Sequence, residues 1–185
     1  MRARLLASFI VVSAIAIQSQ AAMMAYLTIK GQKTGVFKGG VTQKGREGKI
    51  AVLAADHDLG ASSSAGGRPG LIGRRSSQPF KLTLQLDQAA PLIYNAMTNG
   101  EILTEVTVDF WSPQLKAGLG VGAEVQHYSI KLTNATISDV HFVMPNIMHP
   151  DTVKSPETIE VSFTYQKIEW TWKDGGITAS DDWKG

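Results

Sequence analysis

Ile159-Glu-Val161-Ser-Phe163-Thr-Tyr165-Gln-Lys167-Ile168-Glu-Trp170-Thr-Trp172 is the stretch on which the reading of this chain turns. Ile159, Val161, Phe163 and Tyr165 are apolar at odd positions, the period-two pattern of a strand with one buried face. Ile168, Trp170 and Trp172 continue the pattern at even positions. Side chains of a strand change faces when one residue is inserted, so the spacing predicts a bulge or bend at Gln166-Lys167. A straight strand of about 15 residues would span roughly 50 Å. A domain of this size has a radius of gyration of only about 15 Å. The strand must bend around the core or project from it. Both halves keep a clean apolar face, which favours bending.

Working back from this strand, the same alternation recurs. Phe80, Leu82, Leu84 and Leu86 are apolar against Lys81, Thr83 and Gln85. Ile102, Val106, Val108 and Phe110 are set against Glu105, Thr107 and Asp109, and Tyr128, Ile130 and Leu132 against His127, Ser129 and Lys131. Shorter strands are expected over Ala25 to Lys30, Lys49 to Ala55 and Ser138 to Met144. One helix stands out. Asp87 offers acceptors to the amides of a first turn, and Pro91 is tolerated near a helix start. Leu92, Ile93, Ala96 and Met97 then share a face, with Asn99-Gly100 as the stop. A single helix among about seven strands predicts a mainly β domain, a sandwich or barrel with a helix on its flank.

Two stretches read as exposed connections. Gly60 to Pro79 is rich in Gly and Ser, with Arg68, Arg74 and Arg75 interspersed. An insertion of about 20 residues inside a compact domain reads either as a flexible surface excursion or as an arm that contacts a neighbouring subunit. Residues 112 to 124 form the second connection. Their glycines do not link a strand to a helix in the manner of a phosphate loop.

The 185 residues fit one domain, and a folded part of roughly 160 buries about 70 % of its extended surface. With no cysteine, disulfides, thiolate metal sites and a cysteine nucleophile are excluded. The net charge of +2 is too small a bias for a nucleic-acid binder. Residues 1–23 fall outside the expected fold. Met1-Arg2-Ala3-Arg4, an apolar run from Leu5 to Ile17 and the small residues near Ala21 have the form of a secretory signal, shorter than a comfortable membrane span. The other reading is a translation start at Met23 or Met24.

Asp56-His57-Asp58 is the densest ionisable cluster. It reads either as a polar strand end entering the long loop, or as the start of a cation or acid–base site. His127, His141 and His149 lie on separate segments, without the i, i+4 spacing of a zinc hydrolase. No Gly-x-Ser-x-Gly elbow occurs. Trp170, Trp172 and Trp111 are expected in or near the core. No catalytic, metal or cofactor residues are assigned. Arg74-Arg75 suggests neither nucleic acid nor membrane insertion.

Four blocks of sequence carry a resemblance. Val161 to Trp172, followed by Asp174-Gly-Gly-Ile-Thr-Ala-Ser-Asp-Asp-Trp183, closely resembles the terminal strand and tail of the haemolysin-coregulated protein (Hcp) family of type VI secretion tube proteins. Met24 to Gly31 is similar to that family's first strand. Gly73-Arg74-Arg75 with Pro79 resembles its loop exit, Ala90 to Gly100 its single helix, and Tyr128 to Ile137 the strand pair that follows. The loop exit departs from many relatives, with Ser77-Gln78 where they carry His-Lys. The resemblance implies a β-barrel-like double antiparallel sheet with one flanking helix and a long exposed loop. It also implies hexameric rings stacked into a tube, which sheath and spike proteins drive outward with small effector proteins inside. Arg68, Gly73, Arg74, Arg75 and Pro79 become the candidate ring-stacking loop. Relatives leave a cytoplasmic pool through the machine itself and generally lack a cleaved signal, which favours a start after residue 22. Two other functions remain to be weighed. One is a secreted β-fold hydrolase built on Asp56-His57-Asp58; the other is a monomeric periplasmic binding module.

Overall fold

The computed structural model describes residues 24–63, 72–113 and 124–183, with the backbone alone for 61–63 and 72–77. The expected leader at residues 1–23 lies outside the described residues. The chain runs β1 (Met24–Gly31), β2 (Gly35–Val36), β3 (Ile50–Asp56), β4 (Leu59–Ser63), β5 (Ile72–Ser77) and β6 (Phe80–Gln85). It continues through α1 (Ala90–Thr98), β7 (Leu103–Pro113), β8 (Glu124–Val143), β9 (Thr158–Trp172) and β10 (Ile177–Asp182). Strands pair in the order β9-β6-β3-β1-β7-β8, and β8 pairs back onto β9. Every one of these pairings is antiparallel. Six strands therefore close into a barrel with no edge left between first and last.

The alternating apolar residues fill this barrel. Leu27, Ile29, Ile50, Leu82, Leu84, Val106, Val108, Val161 and Phe163 are almost wholly buried in a single cluster. The helix lies between the end of β6 and the start of β7, packs against β8, and adds Ala90, Ile93 and Ala96 to the same core. Its ends follow from local chemistry. Asp87 Oδ1 accepts the Ala89 amide at 2.8 Å, one residue ahead of the helix, while Oδ2 accepts the Gly40 amide at 2.7 Å. At the far end Gly100 takes a φ of 58°, its amide donates to Met97 O, and the Glu101 amide reaches Ala96 O. This left-handed closure satisfies carbonyls that the last turn leaves open, and glycine adopts it without steric cost.

The long strand bends as its sequence requires. Ile159, Val161 and Phe163 are buried in its first half and Ile168 in its second. The register explains how. Thr133 faces Lys167 and Ala135 faces Tyr165, so Asn134 and Gln166 stand between them in both strands. Asn134 has a φ of 49°, and its side-chain amide donates to Gln166 Oε1 at 2.8 Å. Both strands thus change phase together: Ile130 and Leu132 are buried before the bend in β8, Ala135 and Ile137 after it. The pairing shift in this hairpin lies elsewhere, between Ile137 and Asp139. Beyond the bend β9 also changes its other neighbour, from β6 along Thr158–Phe163 to β10 along Lys167–Trp172.

Two expectations are corrected in detail. The separate strands read at Tyr128 to Leu132 and Ser138 to Met144 are parts of one strand, β8, because the asparagine turns the chain without ending it. The loop read over Gly60 to Pro79 contains paired structure. β4 and β5 form their own two-stranded sheet, with Leu59 opposite Ser77 and Ala61 opposite Arg75. The Gly- and Ser-rich composition hid both strands, since neither carries an apolar alternation.

Candidate functional site: the ends and outer face of the barrel

His57 follows the last residue of β3, and its side chain turns toward the barrel. The imidazole stands edge-on to Phe80 with ring centroids 5.3 Å apart, and 6.1 Å from both Tyr165 and Trp170. Its Nε2 lies 2.8 Å from the Tyr165 hydroxyl. Burial lowers its pKa below the ordinary imidazole value, against the opposing charges of Asp58 and Asp56. The strand ends at Asp56, so the alternation that would have brought the two aspartates together does not continue. The remaining histidines are dispersed. His127 packs on Trp172 at 5.6 Å, His141 stands 3.5 Å from Glu160, and His149 lies 3.6 Å from Asp151. Among the described residues no group of three His, Asp or Glu side chains could hold a metal ion. Trp170 packs against the core as expected, while Trp172 is 47 % exposed.

A cleft of about 590 Å³ runs between the start of β1, residues 40–43, β3 and residues 85–87. The titratable side chains on its wall are Tyr26 and Asp87, and both are engaged. Tyr26 bonds to Gln43 and to Met24 Sδ, and Asp87 holds the helix start. Neither is presented as an acid, base or nucleophile.

Two clusters escaped the sequence reading. The segment between β2 and β3 crosses the outer face of the barrel and is pinned there. Arg46 is 6 % exposed, with its guanidinium 3.8 Å above the Trp111 ring, 5.1 Å from Tyr26, and 2.5 Å from Glu124 Oε2. Lys49 Nζ reaches Asp109 Oδ2 at 2.6 Å, and Gln126 donates to the other oxygen of the same carboxylate at 2.6 Å. The buried Glu101 closes the β1–β2 turn. It accepts the amides of Lys33 and Thr34 at 2.8 Å and the Thr34 hydroxyl at 2.7 Å. Those bonds, led by the Thr34 hydroxyl, hold its pKa below the usual carboxylate range. Alternation alone marked Asp109 as outward-facing; nothing in the sequence pointed to its partner.

Of the candidate stacking residues, Gly73, Arg74 and Arg75 lie on β5. Pro79 is half-buried just after the strand, and Arg68 lies outside the described residues. The Gln78 amide donates to Asp58 O at 3.3 Å across the root of the ribbon. At the opposite end of the barrel the end of β8 and its connection to β9 expose Phe142, Met144, Ile147, Met148 and Val153, each 45 % exposed or more.

Residues 26–172 match the family described as type VI secretion system effector, Hcp. The chain belongs to the Hcp family. The major exported protein of Pseudomonas aeruginosa is 30 % identical over 170 residues, covering 86 % of this chain and 95 % of that protein. A crystal structure of an Hcp protein superposes with a TM-score of 0.77 at 28 % identity, over 89 % of this chain and 99 % of the other. A double mutant of Hcp1 from E. coli EAEC 042 gives 0.73 at 31 % identity, over 88 % and 99 %. Membership makes this Hcp a protein of the type VI secretion apparatus, a secreted structural family. Among the described residues no helix is long and apolar enough to cross a membrane.

Proposed function

We propose that this Hcp is the tube subunit of a type VI secretion system, assembling into hexameric rings that stack and carry small effector proteins in the lumen. The observation that carries the stacking role is the β4–β5 ribbon. Its two strands form a sheet of their own, separate from the barrel. An isolated two-stranded ribbon is marginal in water and gains stability from a surface to lie on. A neighbouring ring supplies one, and the sequence between Gly60 and Pro79 brings three arginines, at positions 68, 74 and 75, to that contact. The exposed apolar side chains at the other end of the barrel are the complementary expectation for a subunit with neighbours at both ends. Contacts that repeat head to tail close into rings when the rotation permits and extend into filaments when it does not.

The subunit leaves a cytoplasmic pool through the apparatus, with sheath and spike proteins as its partners. The role is non-catalytic. His57, the natural base of a hydrolase reading, faces the rings of Phe80, Tyr165 and Trp170, with Nε2 against the Tyr165 hydroxyl. Removing residues 64–71 and joining the strands with a two-residue turn tests the stacking role. Electron micrographs should then show rings but no tubes; tubes of unchanged length would overturn it.

A further inference from the structure

The aromatic setting of His57 has a mechanical context. Asp56 is the last residue of β3 and Leu59 the first of β4, so His57 sits at the covalent joint between barrel and ribbon. From β6 it meets Phe80, and from β9 it meets Tyr165 and Trp170, with the Nε2 contact to the Tyr165 hydroxyl at 2.8 Å. These contacts tie the root of the ribbon to the barrel wall, beside the bond from the Gln78 amide to Asp58 O. Among the described residues, the Tyr165 hydroxyl is the titratable group that those two strands present to it, and the charges acting on the imidazole are its chain neighbours, Asp58 and Asp56.

We propose that His57 is a pH-sensitive latch, seated among the aromatic rings when neutral and released, with the ribbon root, when protonated. An imidazolium in this half-buried site gives up part of its hydration, which the three rings and the Tyr165 hydroxyl do not replace. Burial lowers the pKa, and the two aspartates only partly offset it. The seated state therefore binds the proton less readily than the released one. The latch is at full strength above the ordinary imidazole value of about 6.5 and weakens as pH falls through the lowered value. It acts within one subunit, so its failure would leave the tube reading standing.

Hydrogen exchange on the full chain at pH 7.5 and pH 5, corrected for the intrinsic rates, tests the latch. The amides of residues 57–60, Gln78 and Phe80 should lose protection at the lower pH, while β1 and β7 keep theirs. His57→Phe, which keeps a ring but cannot titrate, should abolish the difference. Equal protection of the wild type at both pH values would overturn the proposal. So would the same loss in the variant, which would move the titrating group to an aspartate. An NMR titration of the wild-type His57 imidazole provides a reading that does not depend on the variant folding. A midpoint below about 6.5 is expected, and one at or above that value would contradict the latch.

Discussion

Glu101 shows how one buried carboxylate organises a turn. Its three bonds to Lys33 and Thr34 replace the water it gives up, and Gly31 leaves room for it. A Cβ added at Gly31 would meet Glu101 Oε1 at 2.3 Å, so the glycine is required by packing rather than by its own backbone. Glu101→Gln replaces an ionised acceptor with a weaker one and sets an amide group in a site built for acceptors. The expected cost is about 1–3 kcal/mol in urea unfolding near pH 7. Because the folded carboxyl has a lowered pKa, its contribution is present above the ordinary carboxylate value and is lost as pH falls through the folded one. The wild type should therefore lose stability more steeply than the variant below about pH 4.5, and parallel curves would reject this assignment. None of this was legible beforehand. Glu101 and Thr34 are 67 residues apart, and a glutamate after a helix stop carries no mark of a distant turn. Arg46 was hidden for the same reason, since its partner Glu124 lies 78 residues on.

At the scale of elements, alternation did well where strands have one wet and one dry face. Phe80 to Leu86, the helix at Ala90–Thr98 and the phase change of the last strand stand where the residues placed them, give or take a residue. Alternation failed at Asn134, where a left-handed residue turns β8 without ending it, so one strand read as two. It failed again at the ribbon, whose Gly- and Ser-rich strands carry no apolar alternation. The bend yields a sharp expectation. Asparagine tolerates the left-handed region better than most residues, glycine better still, and a β-branched side chain poorly. Asn134→Gly should stay within about 1 kcal/mol of the wild type while Asn134→Val loses about 1–3 kcal/mol, read from thermal or urea unfolding. Equal stability of the two variants would mean that the positive φ does not govern the bend.

For the whole molecule, the sequence announced a β domain but not its closure. No period in one strand says that β8 returns to β9; that follows only from the pairing of all six strands. The proposed assembly rests on resemblance, because a ring is a property of surfaces between copies and leaves no periodicity within one. What one subunit does show is a two-stranded ribbon outside the barrel's pairing at one end and exposed Met144, Ile147 and Met148 at the other. Such ends suit a repeating neighbour better than a solitary carrier. The most direct measurement is native mass spectrometry with electron microscopy on purified residues 24–185. Particles of six subunits with six-fold rings are predicted, and a particle that stays monomeric at every concentration would contradict the account.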